Sequence, residues 1–423
     1  MQQRFSIFKT LLILGMGLIG SQCEDSTAQE TATAWRTVNV SNTITRVAPW
    51  SGIVFWNDND AVDTDAIQLE YSYVKYNDIV RDKGVYDWTM VETLLDQAAS
   101  RGHQQILRFY FIYPGEPTTV PDYIKQLSHY KEITAKSEGN PTGFVDWSAP
   151  EVQQFALDFY SEFAARYDQD PRLAYLQTGF GLWAEYHIYD GPWKMGQTFP
   201  TKQFQTTFLN HLAKQFRDTP WMISIDAADT DYTPFDDQPE LLRLNFGVFD
   251  DSFLCKPHAK ENAKNWAFFG RDRWERGPGG GEFSYYNKKD QKLALSASGP
   301  NGRTFQDMAS EFHLTFIIGN DQSRYQPMPR IAEAGMAIGY RMTISDCQTN
   351  GNDWRIKVTN SGIAPMYHDA FVAIGDRRSA TSLKGLLPGK SAVCEIAKGG
   401  SKPDISIQSD RLVNGQTIPF EAK

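Results

Sequence analysis

Cysteine is scarce here, and no two cysteines form a CxxC pair: the chain has 4 in 423 residues, with 7 scattered histidines. That pattern argues against a structural zinc site, and neither a metal nor a cofactor is expected. A basic excess is missing too. Lys and Arg number 42 against 51 Asp and Glu, for a net charge of −9 and a pI near 5.4. The electrostatic footprint of a nucleic-acid binder is therefore absent. No stretch beyond residue 22 is long and apolar enough for a transmembrane helix. No glycine-rich nucleotide turn follows the first strand candidate. The glycines from Gly277 to Gly281 lead into no helix and make no phosphate loop. There is no internal repeat and no low-complexity linker.

What is present is apolar and aromatic: 41% hydrophobic and 13% aromatic residues, enough for a large core. Residues 1–28 are expected to be a signal peptide and leader. Arg4 and Lys9 precede an apolar run from Leu11 to Ile19, the layout of an export signal. Processing after Ala28 would release the protein. Processing before Cys23 would leave a lipid anchor, the one route by which it would meet a membrane. Either way the mature chain is expected outside the cytoplasm: periplasmic, outer-membrane-anchored or secreted. In an oxidising compartment Cys347 and Cys394 could pair, leaving Cys255 a buried thiol.

Residues 29–340 read as alternating strands and helices after a polar leader from Glu30 to Asn42. Strand candidates are Gly52–Trp56, Ile67–Val74, Gln105–Phe111, a run from Leu173, Trp221–Asp226, Leu244–Val248, Gly279–Phe283 and Leu314–Ile318. The helix after Trp88 carries a Thr89/Glu92 capping box. The helix after Trp147 carries a Ser148/Glu151 box and a stripe of Val152, Phe155, Ala156, Phe159 and Phe163. Eight alternations imply a (β/α)8 TIM barrel. From residue 341 to 423 short strands separated by Gly-containing turns imply a small β-sandwich.

In such a barrel the working residues sit at the C-terminal ends of strands. The run from Leu173 breaks into Gly179-Phe-Gly-Leu-Trp-Ala-Glu185-Tyr-His187, the profile of a buried strand ending in an active site. The carboxylates expected there are Glu185, Asp226, Asp250, Asp251 and Glu282. Glycoside hydrolysis needs two carboxyl groups across a cleft, and strands four and seven could present Glu185 and Glu282 to each other. Arg108 would orient a carboxylate or a substrate hydroxyl, or, in the structural alternative, pair with Glu185. Tyr186, His187, Asp226 and Asp250 would line the subsite, and Trp183, Trp193 and Trp274 would stack on sugar rings. Arg271, Arg273 and Arg276 form a basic patch that could recognise a sulfated or uronic-acid sugar, or simply face solvent.

The placement of Glu185 after strand four and Glu282 on strand seven resembles the clan A glycoside hydrolases. Tyr71-Ser-Tyr73, Gly84 to Trp88, Asp170 to Leu173, Gly179 to His187 and Val358 to Pro365 resemble an uncharacterised bacterial family with a clan-A-like barrel followed by a β-sandwich. The resemblance spans nearly the whole mature chain. It implies a retaining glycoside hydrolase acting on a plant or algal polysaccharide or its oligosaccharides, with Glu185 as acid/base and Glu282 as nucleophile. One residue departs from it. Clan members usually carry Asn just before the acid/base Glu, to hold the sugar 2-hydroxyl; here it is Ala184. That departure carries the alternative, a non-catalytic glycan-binding protein on a hydrolase-like barrel. An inverting hydrolase using Asp250 or Asp251 is a third possibility.

Overall fold

The computed structural model describes residues 34–422, so the expected signal segment and Cys23 lie outside the described residues. Eight parallel strands close into a barrel. In chain order they are β1 (Gly52–Trp56), β2 (Leu69–Lys75), β3 (Gln104–Tyr110), β4 (Leu173–Thr178), β5 (Trp221–Ser224), β6 (Gly247–Phe253), β7 (Gly279–Phe283) and β8 (Phe316–Ile318). Each pairs in parallel with its neighbour in sequence, and β8 closes onto β1 through Phe316–Gly52, Ile317–Ile53 and Ile318–Val54. The helices packed outside are α1 (Thr89–Ser100), α2 (Pro150–Tyr167), α3 (Lys202–Gln215), α4 (Ala259–Phe268), α5 (Phe305–Glu311) and α6 (Met328–Met336). The alternation is not complete. No helix separates β1 from β2, and only 3-10 turns lie between β5 and β6.

The longest outer helix shows why the periodic reading works. Val152, Phe155, Ala156, Phe159, Tyr160, Phe163, Ala164 and Tyr167 of α2 are all buried. Phe159 and Phe163 meet Phe109 of β3 at 4.9 and 5.0 Å between ring centroids. Full burial of one such side chain contributes about 1.5–3 kcal/mol. The capping boxes do not form. The residue before α2 is Ala149, Pro150 takes the first helical position, and Ser148 bonds Asp146 instead. At α1, Asp87 accepts from the Thr89 amide, while Glu92 is drawn to Arg166, Tyr167 and Arg172.

Strand β7 is hard to recognise in sequence for a steric reason. A Cβ at Gly280 would lie 2.4 Å from the Phe316 ring, and one at Gly281, whose φ is +147°, would lie 2.0 Å from the Asp250 carbonyl oxygen. Close packing against β6 and β8 demands glycine where a strand pattern would show β-branched residues.

The C-terminal strands are β9 (Met342–Thr349), β10 (Trp354–Asn360), β11 (Phe371–Ile374), β12 (Arg377–Ser382), β13 (Ser391–Ile396), β14 (Ile405–Gln408) and β15 (Phe420–Ala422). One sheet holds β9, β10, β13 and β15, the other β12, β11 and β14. Strict alternation in β10 turns Trp354, Ile356, Val358 and Asn360 inward. The polar leader is not free of the fold: Arg36–Thr37 adds a strand to β9, and Asn42 bridges to Ala422. Cys347 and Cys394 stay reduced and buried. Each stands opposite Ile356, on either side of β10. They are two strand spacings apart, about 9–10 Å, beyond the ~7 Å that a disulfide spans.

The sandwich seals the N-terminal end of the barrel. His368 packs between Trp50 and Tyr175, with centroids at 4.8 and 5.8 Å. Arg411 reaches the carbonyls of Asp168 and Leu173 and the Thr219 hydroxyl. Burial drives the His368 proton affinity well below the ordinary range, with Arg411 and Lys384 adding to it. The folded state therefore keeps His368 neutral while the unfolded chain protonates near pH 6.5. Stability attributable to this site is complete above about pH 6.5 and declines as pH falls below it. His368→Phe is expected to flatten that acid-side decline of Tm between pH 7 and 5; an unchanged slope would show that His368 does not set it.

Candidate active site

The loop after β4 is folded tightly on itself. The Gly181 amide donates to the Glu185 carbonyl at 2.7 Å, and the Leu182 amide to the His187 carbonyl at 3.1 Å. This brings backbone against backbone. A Cβ at Gly179 would lie 2.1 Å from the Ala184 oxygen, and one at Gly181 would lie 1.9 Å from the His187 oxygen. Both glycines are therefore dictated by the turn. Trp183 and Ala184 take left-handed φ values of 51° and 56°, at a cost of about 1–2 kcal/mol each. The result is that Glu185 projects at the barrel mouth, seven residues past the end of β4.

The upper lumen is built from one register row. Tyr73 of β2, Arg108 of β3 and Gln177 of β4 are paired neighbours. Arg108 is fully buried. Its Nε donates to Gln177 at 2.8 Å, and its Nη1 donates to the Tyr73 hydroxyl at 2.9 Å. Its two terminal nitrogens reach Asp251 of β6 at 2.6 and 3.2 Å. The guanidinium also lies over the Phe249 ring at 4.1 Å. Arg108 is thus the barrel's internal counter-charge, and its partner is Asp251 rather than Glu185.

Above this row opens a cavity of about 590 Å3 lined by Trp56, Asp58, Tyr73, Tyr113, Trp183, Glu185, Asp251, Glu282, Tyr285 and Asn320. Five of these lining residues are aromatic and five carry a carboxyl or amide group, the make-up of a site for a ligand with flat faces and many hydroxyls. Glu185 is 9% exposed. Burial pushes its carboxyl up to about 8; the His187 hydrogen bond opposes this, and Asp226 and Asp251 add to it. Glu282 is also raised well above the usual carboxylate range, by burial and then by Asp251, against the pull of Arg108 and Trp56. Glu185 adds to the rise at Glu282, so burial and neighbouring acids favour the protonated form of both carboxyl groups.

His187 links two of the acids. Its Nε2 lies 2.7 Å from Glu185 and its Nδ1 lies 3.4 Å from Asp226. Among the described residues these three form the group whose ligand-type atoms all fall within 4.8 Å. Both ring nitrogens face carboxyl groups: Nε2 is hydrogen-bonded to Glu185, and Nδ1 is within ion-pair distance of Asp226. Burial works against the charged imidazole, yet Asp226 and then Glu185 outweigh it, and its proton affinity rises to about 9.

Of the residues expected at the site, Glu185, Glu282, Arg108, Trp183, His187 and Asp226 converge at this end of the barrel. Four do not. Asp250 points outward, where the Ser252 amide, Asn262 and the Trp266 indole hold its carboxylate; its neighbour Asp251 is the one that faces the lumen. Tyr186 is fully buried against Phe180 in the layer between barrel and helices. Trp274 precedes β7 and stacks on His313 at 3.9 Å, at the end of the barrel away from Glu282. Trp193 packs on Tyr232 at 4.8 Å and is 40% exposed, outside the cavity lining. The basic patch disperses as well: Arg273 is buried and donates to the carbonyls of Leu242 and Leu244. Residues not anticipated at the site are Trp56, Tyr73, Tyr113, Tyr285, Asp58 and Asn320. The parity of β2, which places Leu69, Tyr71 and Tyr73 on one face, is the signal that would have found Tyr73.

No protein-family model matches the chain, and no curated protein matches it. Among solved structures it is similar to an α-galactosidase from Thermus thermophilus in complex with p-nitrophenyl α-D-galactopyranoside. That match has 12% identity and a TM-score of 0.41, over 75% of this chain and 66% of that one, just under two thirds of its length. It is also similar to a family 5 glycoside hydrolase from Prevotella bryantii, at 12% identity and TM-score 0.37, over 70% of this chain and 99% of that one. A third is a GH5_18 protein from Streptomyces cattleya in complex with GlcNAc, at 12% identity and TM-score 0.41, over 70% and 76%. The structural neighbours are glycoside hydrolases, and the closed eight-stranded parallel barrel stands on its own strand pairing.

Proposed function

We propose that the chain is a retaining glycoside hydrolase acting on a plant or algal polysaccharide or its oligosaccharides. The observation that carries this reading is that Glu185 and Glu282 line one aromatic-walled cavity at the barrel mouth. Glu185, neutral at pH 7, gives its proton to the glycosidic oxygen as the bond to the anomeric carbon breaks. Glu282, as carboxylate, attacks that carbon. Water, deprotonated by Glu185, then releases the sugar. The aromatic rim supports a polymeric substrate. Among the described residues, four exposed Tyr side chains (Tyr189, Tyr285, Tyr286 and Tyr325) lie on segments following β4, β7 and β8, at the end of the barrel where this mouth opens. Export, as expected from residues 1–28, would bring the protein to a polymer outside the cytoplasm.

A second reading, a glycan-binding protein on the same barrel, is favoured by one observation. Glu282 is held toward its neutral form by burial and by Asp251, whereas a nucleophile must be ionised. Ala184, by contrast, is fully buried, so the residue before Glu185 is not in contact with a ligand in either reading. The test is a polysaccharide panel scored both for reducing-end release and for binding. Release with a first-formed product of retained anomeric configuration by NMR supports the retaining hydrolase. An inverted product transfers the chemistry to an activated water and Asp251. Saturable binding without release on any substrate supports the second reading.

A further inference from the structure

We propose that His187, clamped by Asp226, is a standing imidazolium that positions Glu185 and stabilises its carboxylate each time Glu185 gives its proton away. The inference rests on the acid/base reading of Glu185 and goes beyond it, because it gives the loop and the segment after β5 a shared task.

The geometry sets the order of the chain. Asp226 lies on the 3-10 turn that follows β5, and His187 lies on the loop that follows β4. The imidazole spans the gap with one nitrogen toward each carboxyl group, at 2.7 and 3.4 Å. A proton on each nitrogen lets the ring face both carboxyl groups as a donor. The two left-handed residues before Glu185 and the two glycines that admit the turn all serve to bring Glu185 and His187 onto the same side of the loop.

The charged groups around the pair favour the same state. Asp229 adds to Asp226 in holding the proton on His187. Asp251 from β6 and Asp226 raise Glu185, while His187 lowers it. Glu282 of β7 senses Glu185 across the cavity. The buried cation opposite, Arg108 of β3, is committed to Asp251. His187 is thus the positive group available to Glu185. When Glu185 donates its proton to the leaving oxygen, the new carboxylate accepts the Nε2 hydrogen at once. The His187 proton stays on the ring, and water returns one proton to Glu185 in the second half of the cycle. His187 and Asp226 are positioning residues in this scheme.

The test needs no substrate. In 15N-labelled protein the His187 ring, identified by its loss in His187→Gln, is expected to show both nitrogens protonated at pH 7 and to titrate well above the ordinary value of about 6.5. Asp226→Asn is expected to lower that midpoint by about one pH unit or more, and Glu185→Gln to lower it as well, so that two independent variants report on the chain. A wild-type ring that is singly protonated at pH 7, or a midpoint unmoved by Asp226→Asn, overturns the proposal. So does saturable uptake of Zn2+ by the purified protein that is abolished in His187→Gln. Loss of turnover in Glu185→Gln is a separate measurement: if it fails while the ring behaves as expected, the acid/base reading falls and the imidazolium clamp stands as a binding-site feature.

Discussion

Glu185→Gln is expected to lower turnover by roughly 10²–10⁴-fold, the range that general acid catalysis contributes, without loss of fold. Gln keeps the size of the side chain and can still meet His187, but it has no proton to give. The fold should not suffer. A carboxyl whose folded proton affinity is raised to about 8 is neutral in the native state and ionised when unfolded between about pH 4.5 and 8. Native stability therefore falls as pH rises through that window, and Gln, which has no such titration, should leave Tm equal or higher at pH 7. In the parent protein, activity should fall as pH passes about 8, where the acid loses its proton. Glu282 acts in the opposite sense: it must lose its proton, so the acid limb lies above the ordinary carboxylate range because burial and Asp251 raise it. Glu282→Gln should be as damaging as Glu185→Gln. Unchanged turnover in either variant, measured on whichever panel substrate is cleaved, would remove that residue from the mechanism.

Arg108→Met is the second large effect expected, and it is mainly one of stability. The guanidinium is fully buried and holds Asp251, Gln177, Tyr73 and the Trp183 carbonyl together. Removing one member of such a pair leaves an uncompensated charge and costs about 3–5 kcal/mol. Adding Asp251→Leu in the same chain should recover part of that loss, since replacing both partners by apolar groups is far less costly than removing one. Equilibrium denaturation of the two single variants and the double variant measures the coupling. A double variant no more stable than Arg108→Met would show that the pair is not what Arg108 contributes.

The parts of the fold that were legible in sequence share a property: they are decided by local periodicity. The buried stripe of α2, the apolar run of β4 and the alternation of β10 each follow from a helix or strand burying one side. Glu185 was legible because two glycines and a Trp break an apolar run, and the structure shows why those glycines are there. Strand β7 was nearly invisible because its packing requires Gly280 and Gly281. The Thr89 box failed because Glu92 has stronger partners in Arg166 and Arg172 than in a backbone amide, and the Ser148 box because Ser148 bonds Asp146 and Pro150 opens the helix. The leader's strand at Arg36–Thr37 was illegible because it pairs with a segment more than 300 residues away.

By itself, then, the sequence determined most of the barrel strands and outer helices, their order, and the carboxyl groups after β4 and on β7. Only tertiary structure decided which side chains look into the barrel. Closure of the sheet turns Asp251 to the lumen and Asp250 to α4, sets Tyr186 among the outer aromatics, and leaves Trp274 at the far end. Facing in a barrel is set by strand register and by the irregularity in β6 between Asp250 and Phe253, and register is a relation between distant strands that no local pattern contains.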